Sequence, residues 1–489
     1  MSKLLNVRRD SPLFQNIVIC LVLFACPGLY GAITGLGAGG GKPSSTKVAN
    51  ITNCTLYGCY SLFSFFAGGI INILGVKWTF TFGAFTYILY ASGLWIYDRT
   101  GEQVPPIFFG ALLGIGAAML WTNAAFISLS YGDETKKGKY ILLQWGSTAV
   151  GSSIGALIAL IYNLHTTTDD GSPTAVYLIF IIIMVVAIIV SFFLLIHPRD
   201  VRRSDGSALA HFRTMPTIKE EILGYRKTLS DWRTPAIFLV ASGAELCLAL
   251  QSSMSSYWFN LRTRSLTNLC FWLIQLPASY AMRQIFDSQR FSRKSRAMIA
   301  TTILLVVISI SWITETVWVK TEHVNRHDTS PAIDWTASAS KFGPLFVGYL
   351  FSGITYATWQ STVQWVISCL SNDPSVSARN AGLFKAGITA GMCVSFGVDS
   401  AEVAYLTQFI WQWTLQMVGL VILYAICTTI PQTNYFKEKD VIVPSYLKNI
   451  AAGEGAPNSK ETESGTGTGA VNNSEHSISE KSAIRESSS

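Results

Sequence analysis

Twelve apolar runs, six on each side of one charged stretch, leave this chain few ways to fold. The stretch covers residues 197–234 and carries Arg199, Arg202, Arg203, Arg213, Lys219, Arg226, Lys227 and Arg233. Each run is about the length that spans a bilayer as a helix, roughly 20 residues. Backbone amides have no water to bond inside lipid, so such runs must be helices. The chain is 50% hydrophobic and 13% charged, against about 25% charged in an average soluble chain. The expected fold is all-α and polytopic, with twelve transmembrane helices in two six-helix halves. The expected boundaries are a short N-terminus (1–12), a first half (13–196), the basic linker (197–234), a second half (235–430) and a polar tail (431–489). Beyond residue 451 the tail is rich in Ser, Gly, Glu and Asn, a composition expected to be disordered.

The net charge of +7 does not point to nucleic acid, because the basic residues sit in short loops between apolar runs. With the N-terminus inside, 27 Lys and Arg fall on the cytoplasmic side and eight outside. Both termini are therefore expected in the cytoplasm. The first run, residues 12–36, has a small-residue site at Tyr30-Gly31-Ala32, but eleven further spans favour an uncleaved helix. Asn50-Ile51-Thr52 and Asn53-Cys54-Thr55 are sequons close to the next helix. The nine cysteines lie in or at the ends of the runs with no zinc or redox spacing. Gly37-Ala38-Gly39-Gly40-Gly41 lacks the Lys-Ser/Thr ending of a phosphate loop. No metal ligand set, nucleotide loop or catalytic constellation is expected, hence no cofactor and no enzyme.

Between spans two and three lies Gly68-Gly69-Ile70-Ile71-Asn72-Ile73-Leu74-Gly75-Val76-Lys77. It resembles the short-loop motif of the major facilitator superfamily, Gly-x-x-x-Asp-x-x-Gly-x-Lys/Arg. Gly68, Gly75 and Lys77 match, and Asn72 replaces the acid. Small residues there let helices approach closely, and the latch is expected to be hydrogen-bonded, not ionic. Its counterpart in the second half is the loop holding Asp287 and Arg290.

Polar residues within apolar spans mark cavities or helix-bridging bonds. Glu245 in span seven is the clearest cavity candidate. Asn123 in span four, Gln144 in span five, and Gln360 and Gln364, one turn apart in span ten, fit either role. Lys385, about four residues inside span eleven, either snorkels to the cytoplasmic surface or pairs with a carboxylate or a carbonyl inside the bundle. Residues 217–229 of the linker suggest a short surface helix with Ile218, Ile222 and Tyr225 on one apolar face.

Three further stretches carry a narrower resemblance. They are Phe24-Ala25-Cys26-Pro27-Gly28-Leu29-Tyr30-Gly31-Ala32, Asn260-Leu261-Arg262-Thr263-Arg264-Ser265-Leu266 with Phe271-Trp272, and Ala378-Arg379-Asn380-Ala381-Gly382-Leu383-Phe384-Lys385-Ala386-Gly387. The chain resembles UNC93-like proteins, particularly their fungal branch, over roughly residues 13–430. The resemblance implies a facilitator fold with alternating access around a central cavity for a small solute or ion. Animal members of the family are trafficking partners and channel regulators, so it equally implies a membrane-protein partner. Two functions thus stand: a transporter of a small molecule or ion, and a non-transporting regulator.

Overall fold

In the computed structural model, the described residues are 8–31, 46–164, 174–210, 217–325, 333–436, 438, 441–445 and 447. The glycine-rich turn at residues 37–41 and the tail beyond 451 lie outside them. The chain divides into two units, Met1–Val443 and Pro444–Ser489. All the helices named below belong to the first.

The first half holds α1 (Pro12–Leu23, continuing through a π-helical turn, Phe24–Gly28), α2 (Thr46–Leu74), α3 (Val76–Thr100), α4 (Val104–Ser130), α5 (Lys137–Asn163) and α6 (Thr174–Leu194). The linker supplies α7 (Ile218–Ser230). The second half holds α8 (Arg233–Ser242) and α9 (Cys247–Trp258), α10 (Leu261–Leu273) and α11 (Gln275–Phe286), then α12 (Arg293–Thr321), α13 (Ala339–Ser368), α14 (Pro374–Ser400) and α15 (Tyr405–Thr428). Paired α8–α9 and α10–α11 each make one rod with a break, so the described residues form twelve rods. Nine of these are long and apolar enough to cross a membrane; α3, α10–α11 and α13 match in length but carry more polar residues. The protein is a multi-pass integral membrane protein.

Local chemistry sets the helix starts. Ser11 caps α1 by accepting from the Phe14 amide, with Pro12 at the first helical position. Asp373 and Pro374 do the same for α14. Asn260 caps α10. Thr217 and Glu220 form a reciprocal capping box on α7. The Ile- and Val-rich α6 leaves Ile179, Ile182, Val186 and Ile189 on its outer surface, as a lipid-facing helix should.

The first helix of each half is interrupted. In α1 the π-helical turn contains Pro27, and the Gly28 carbonyl accepts from Ser152 Oγ of α5 at 2.8 Å. Gly151 permits this crossing: a Cβ there would lie 2.3 Å from the Phe24 carbonyl oxygen. In span seven the chain leaves the helix over residues 243–246. Gln416 Nε2 donates to the Gly243 carbonyl at 2.8 Å, and Ser395 Oγ donates to the Leu246 carbonyl at 2.8 Å. Trp359 Nε1 donates to the Val240 carbonyl at 3.2 Å. Broken helices survive at membrane depth only when neighbours satisfy the freed backbone groups. Gln416 also accepts from Trp312 Nε1 at 2.6 Å. Changing Gln416 to Leu therefore leaves two buried groups unmatched, at about 1–3 kcal/mol each. A clear drop in the thermal unfolding midpoint of the detergent-purified variant is expected.

The longest seam runs between α2 of the first half and α14 of the second. At the linker end, Gly68 faces the Ala378 carbonyl and Gly382 faces the Ser64 carbonyl; added Cβ atoms would stand 2.3 and 2.6 Å from those oxygens. At the opposite end Asn50 donates to Asp399 at 2.9 Å, and the thiols of Cys54 and Cys393 lie 3.8 Å apart. The seam is closed at both ends. On another face of α14, Gly387 and Gly391 admit the carbonyls of Phe238 and Ser242, which brings the end of α8 against the break in span seven.

Candidate functional site

Beside that break lies a cavity of about 100 Å³ between the halves. Its wall is largely aromatic. Trp121, Trp145, Trp272 and Tyr356 form a connected group: Trp121 to Trp145 at 6.3 Å, Trp145 to Tyr356 at 5.3 Å and Trp272 to Tyr356 at 6.0 Å between ring centroids. Tyr30, Tyr57 and Tyr87 of the first half line the same cavity. A second cavity, of about 90 Å³, shares Tyr30, Tyr57, Leu248 and Trp272 with the first and adds Gln251, Ser255, Asn268 and Tyr349.

Two charged side chains line the first cavity. Glu245 sits in the non-helical break of span seven, and Lys385 comes from mid-α14. Gln360 of α13 joins them: its amide nitrogen donates to Glu245 Oε1, and its carbonyl oxygen accepts from Lys385 Nζ at 3.4 Å. The Lys385 ammonium also stands 4.7 Å from the Trp121 ring centroid, a cation–π contact to the first half. Lys385 is 4% exposed, so it does not snorkel to the surface. The helix starts at Pro374, so Lys385 lies about three turns inside it and not one, and its ammonium meets the Gln360 carbonyl oxygen beside Glu245.

The other sequence candidates divide by location. Gln364 accompanies Gln360 on α13 but donates across the halves to Ser128 Oγ at 2.6 Å, one turn from the charged pair. Asn123 donates to Thr79 Oγ1 and the Met119 carbonyl, both at 2.8 Å. Gln144 donates to Asn16 Oδ1 at 2.7 Å and to the Ala124 carbonyl at 2.8 Å. These three bind helices together and do not line either of the two cavities described above.

The linker end is held by two latches. In the first, Glu221 of α7 forms a bidentate ion pair with Arg379 of α14, at 2.7 and 3.0 Å, and accepts from Asn72 Nδ2 of α2 at 2.9 Å. Gly224 lies flat against the guanidinium, where a Cβ would meet Arg379 Nη2 at 2.3 Å. Thus the acid missing at position 72 is supplied by the linker, and the latch is ionic after all. The expected apolar face of α7 is split: Ile218 and Ile222 point outward, 70% and 64% exposed, while Tyr225 faces the bundle with Glu221 and Thr228. Buried ionic hydrogen bonds to Arg379 and Asn72 outweigh two apolar contacts in setting the helix's rotation.

The second latch joins α5 to the second half. Asp287 accepts from the Gly138 amide at 2.9 Å at the start of α5 and pairs with Arg283 at 3.5 Å. Arg290 is exposed and takes no part, and Lys77 instead sits 4.2 Å from the Phe192 ring centroid. Burial pushes the Asp287 carboxyl above its ordinary range, against the pull of Gly138 and Arg283. Nearby, Glu134 pairs with Arg293 at 3.0 Å and accepts from Asn372 at 2.7 Å. Burial pulls the Glu134 carboxyl up, but Arg293, Lys137 and Asn372 together hold it below its usual range.

Sequence reasoning missed Glu221, Glu315, Gln416 and the aromatic wall. Glu315 carries the same signal as Glu245, an acid within an apolar span. It stands near the end of its apolar run, residues 297–319, where a carboxylate passes for a helix-end residue.

Comparison with known proteins agrees with this geometry. Residues 48–223 match the family model described as ion channel regulatory protein UNC-93. An uncharacterized membrane protein of Schizosaccharomyces pombe, C6F6.04c, is 41% identical over 395 residues, covering 81% of this chain and 80% of that protein. UNC93-like protein 1 of Arabidopsis thaliana is 31% identical over 415 residues, covering 84% of this chain and 89% of that one. Among solved structures, the major facilitator proton:xylose symporter XylE superposes with a TM-score of 0.59 at 10% identity, over 87% of this chain and 96% of that one. The chain therefore belongs to the UNC93-like family, built on the major facilitator fold.

Proposed function

We propose that this protein is a secondary transporter that moves a small solute or ion by alternating access, with Glu245, Gln360 and Lys385 as the charged element of its central site. The observation that carries this reading is the Glu245–Gln360–Lys385 relay, set at the break of span seven on the wall of a cavity between the halves. Transporters of this architecture bind cargo near the midplane at broken helices, where backbone and charge are available to a ligand. The aromatic wall suits a cargo with an apolar body. A charge on that cargo would compete for Glu245 or Lys385 and so loosen the link between α8–α9 and α14. Coupling then follows, because the same contact that binds cargo holds the two helices together.

Closure at the linker end by the Glu221 and Asp287 latches supports a state sealed on that side. The excess of Lys and Arg there supports a cytoplasmic orientation for the linker and both described chain ends. The test is uptake by purified protein in liposomes, screened with small organic solutes under an imposed proton gradient. Glu245→Gln is expected to abolish gradient-driven uptake; uptake equal to that of the unaltered protein would remove Glu245 from the mechanism.

The family description, ion channel regulatory protein, favours a second reading in which the fold serves a membrane-protein partner. Under that reading no solute is taken up, and a defined channel or receptor copurifies stoichiometrically with the intact protein.

A further inference from the structure

Away from the Glu245 site, the second half buries another carboxylate. Glu315 of α12 is 2% exposed. Its Oε1 accepts from Ser352 Oγ of α13 at 2.6 Å, from Gln251 Nε2 of α9 at 3.4 Å and from Ser311 Oγ, one turn earlier on α12, at 3.5 Å. The two serine hydroxyls lie 2.7 Å apart. Every polar neighbour is thus a neutral hydroxyl or amide. The other titratable groups facing it are Cys247 of α9 and Tyr349 of α13, neither of which supplies positive charge. Among the described residues, no Lys, Arg or His forms an ion pair with it.

Glu245 has an ammonium across a glutamine; Glu315 has none. A carboxylate in a membrane span is costly unless it meets an opposite charge, a bound cation or a proton. Space has been kept for one arrangement: a Cβ on Gly348 would stand 2.6 Å from Glu315 Cγ. A route also exists. Gln251 and Tyr349 both line the second cavity, and the Tyr349 hydroxyl donates to the Gln251 carbonyl at 3.0 Å. Gln251 therefore stands between that cavity and the carboxylate.

We propose that Glu315, Ser311, Ser352 and Gln251 form a binding site for one sodium ion, reached from the second cavity past Gln251. The donors are hard oxygens: the carboxylate, two hydroxyls and, once its amide turns over, the Gln251 carbonyl oxygen. Such a set suits a hard cation, and the assignment of amide N and O follows the hydrogen-bond partner present. One negative charge matches a monovalent ion, leaving a divalent ion half-neutralised in a low-dielectric site. Sodium also ties α9, α12 and α13 together at one point, because each helix contributes an oxygen.

This inference does not rest on the transport reading, and its test is independent of it. Thermal unfolding of the full-length purified protein is followed in sodium chloride, potassium chloride and choline chloride at equal ionic strength. Anything that binds only the folded form raises its stability in a saturable way. Sodium is expected to raise the unfolding midpoint over choline, with potassium weaker. Glu315→Gln loses that increment, and Glu245→Gln keeps it. Ser352→Ala preserves the carboxylate and moves the sodium midpoint to higher concentration, which decides the matter if Glu315→Gln does not fold. Equal midpoints in sodium and choline would overturn the site, as would a sodium increment that survives in both Glu315→Gln and Ser352→Ala. A sodium increment together with unchanged uptake in Glu245→Gln would keep this site and reject the central one.

Discussion

Restoring the consensus acid at position 72 is expected to damage the protein. Asn72→Asp places a second carboxylate where Asn72 Nδ2 now donates to Glu221 Oε1 at 2.9 Å. The donor becomes an acceptor, and two like charges share one guanidinium. Like-charge juxtaposition of this kind costs several kcal/mol, about 2–4 where Arg379 offsets part of it. Glu221→Gln alone removes the acid and strands the largely buried Arg379, a loss of about 3–5 kcal/mol. The double change Asn72→Asp with Glu221→Gln returns one acid to the cluster and should recover much of both losses. Hydrogen–deuterium exchange over residues 64–72 and 375–382 reads the result directly. Each single variant should exchange faster there, and the double variant should return toward the parent. If Asn72→Asp exchanges like the parent, Glu221 is not the latch acid.

The second large effect concerns Lys385. Lys385→Met removes the ammonium and leaves Glu245 beside Gln360 with no countercharge, at about 3–5 kcal/mol. Glu245→Gln strands Lys385 in the same way, relieved in part by its contact with Trp121. The pair of changes together should cost less than the sum of the two, by about 1–3 kcal/mol, because neither leaves the other's charge behind. Thermal unfolding of the four proteins completes the cycle. Strict additivity would mean that the two side chains do not sense each other through Gln360. Transport should fail in all three variants, so stability and uptake separate folding from function.

How much of this was legible before the structure depends on the interaction concerned. Apolar length and loop charge are local properties, and they gave the twelve rods and the central linker. Glu245 was legible because a carboxylate deep in an apolar span has few structural uses. Nothing in the sequence tells that Gly382 serves α2 while Gly387 and Gly391 serve α8. Partnership across the halves was not legible. Asn123, Gln144 and Gln360 are the same kind of residue in the same kind of span, and only the helices beside them decide which one meets Glu245 and Lys385. The break in span seven was hidden for a related reason: Gly243-Ala244-Glu245 is compatible with a helix. What interrupts it is the set of outside donors, Gln416, Ser395 and Trp359, that make leaving the helix affordable. The linker misled for the opposite reason. Its many basic residues drew attention to bulk charge, while the residue that acts is its single buried acid, Glu221.

That placement has a practical consequence for anyone recombining members of the family. A linker between two halves is the natural crossover point for chimeras, being long and polar. Here residues 217–230 travel with the partner residues Asn72 and Arg379, one from each half. A hybrid joined anywhere in the linker imports a foreign acid, or none, into a socket shaped by Gly69 and Gly224. Crossovers placed elsewhere, with α2, α7 and α14 taken from one parent, keep lock and key from the same maker.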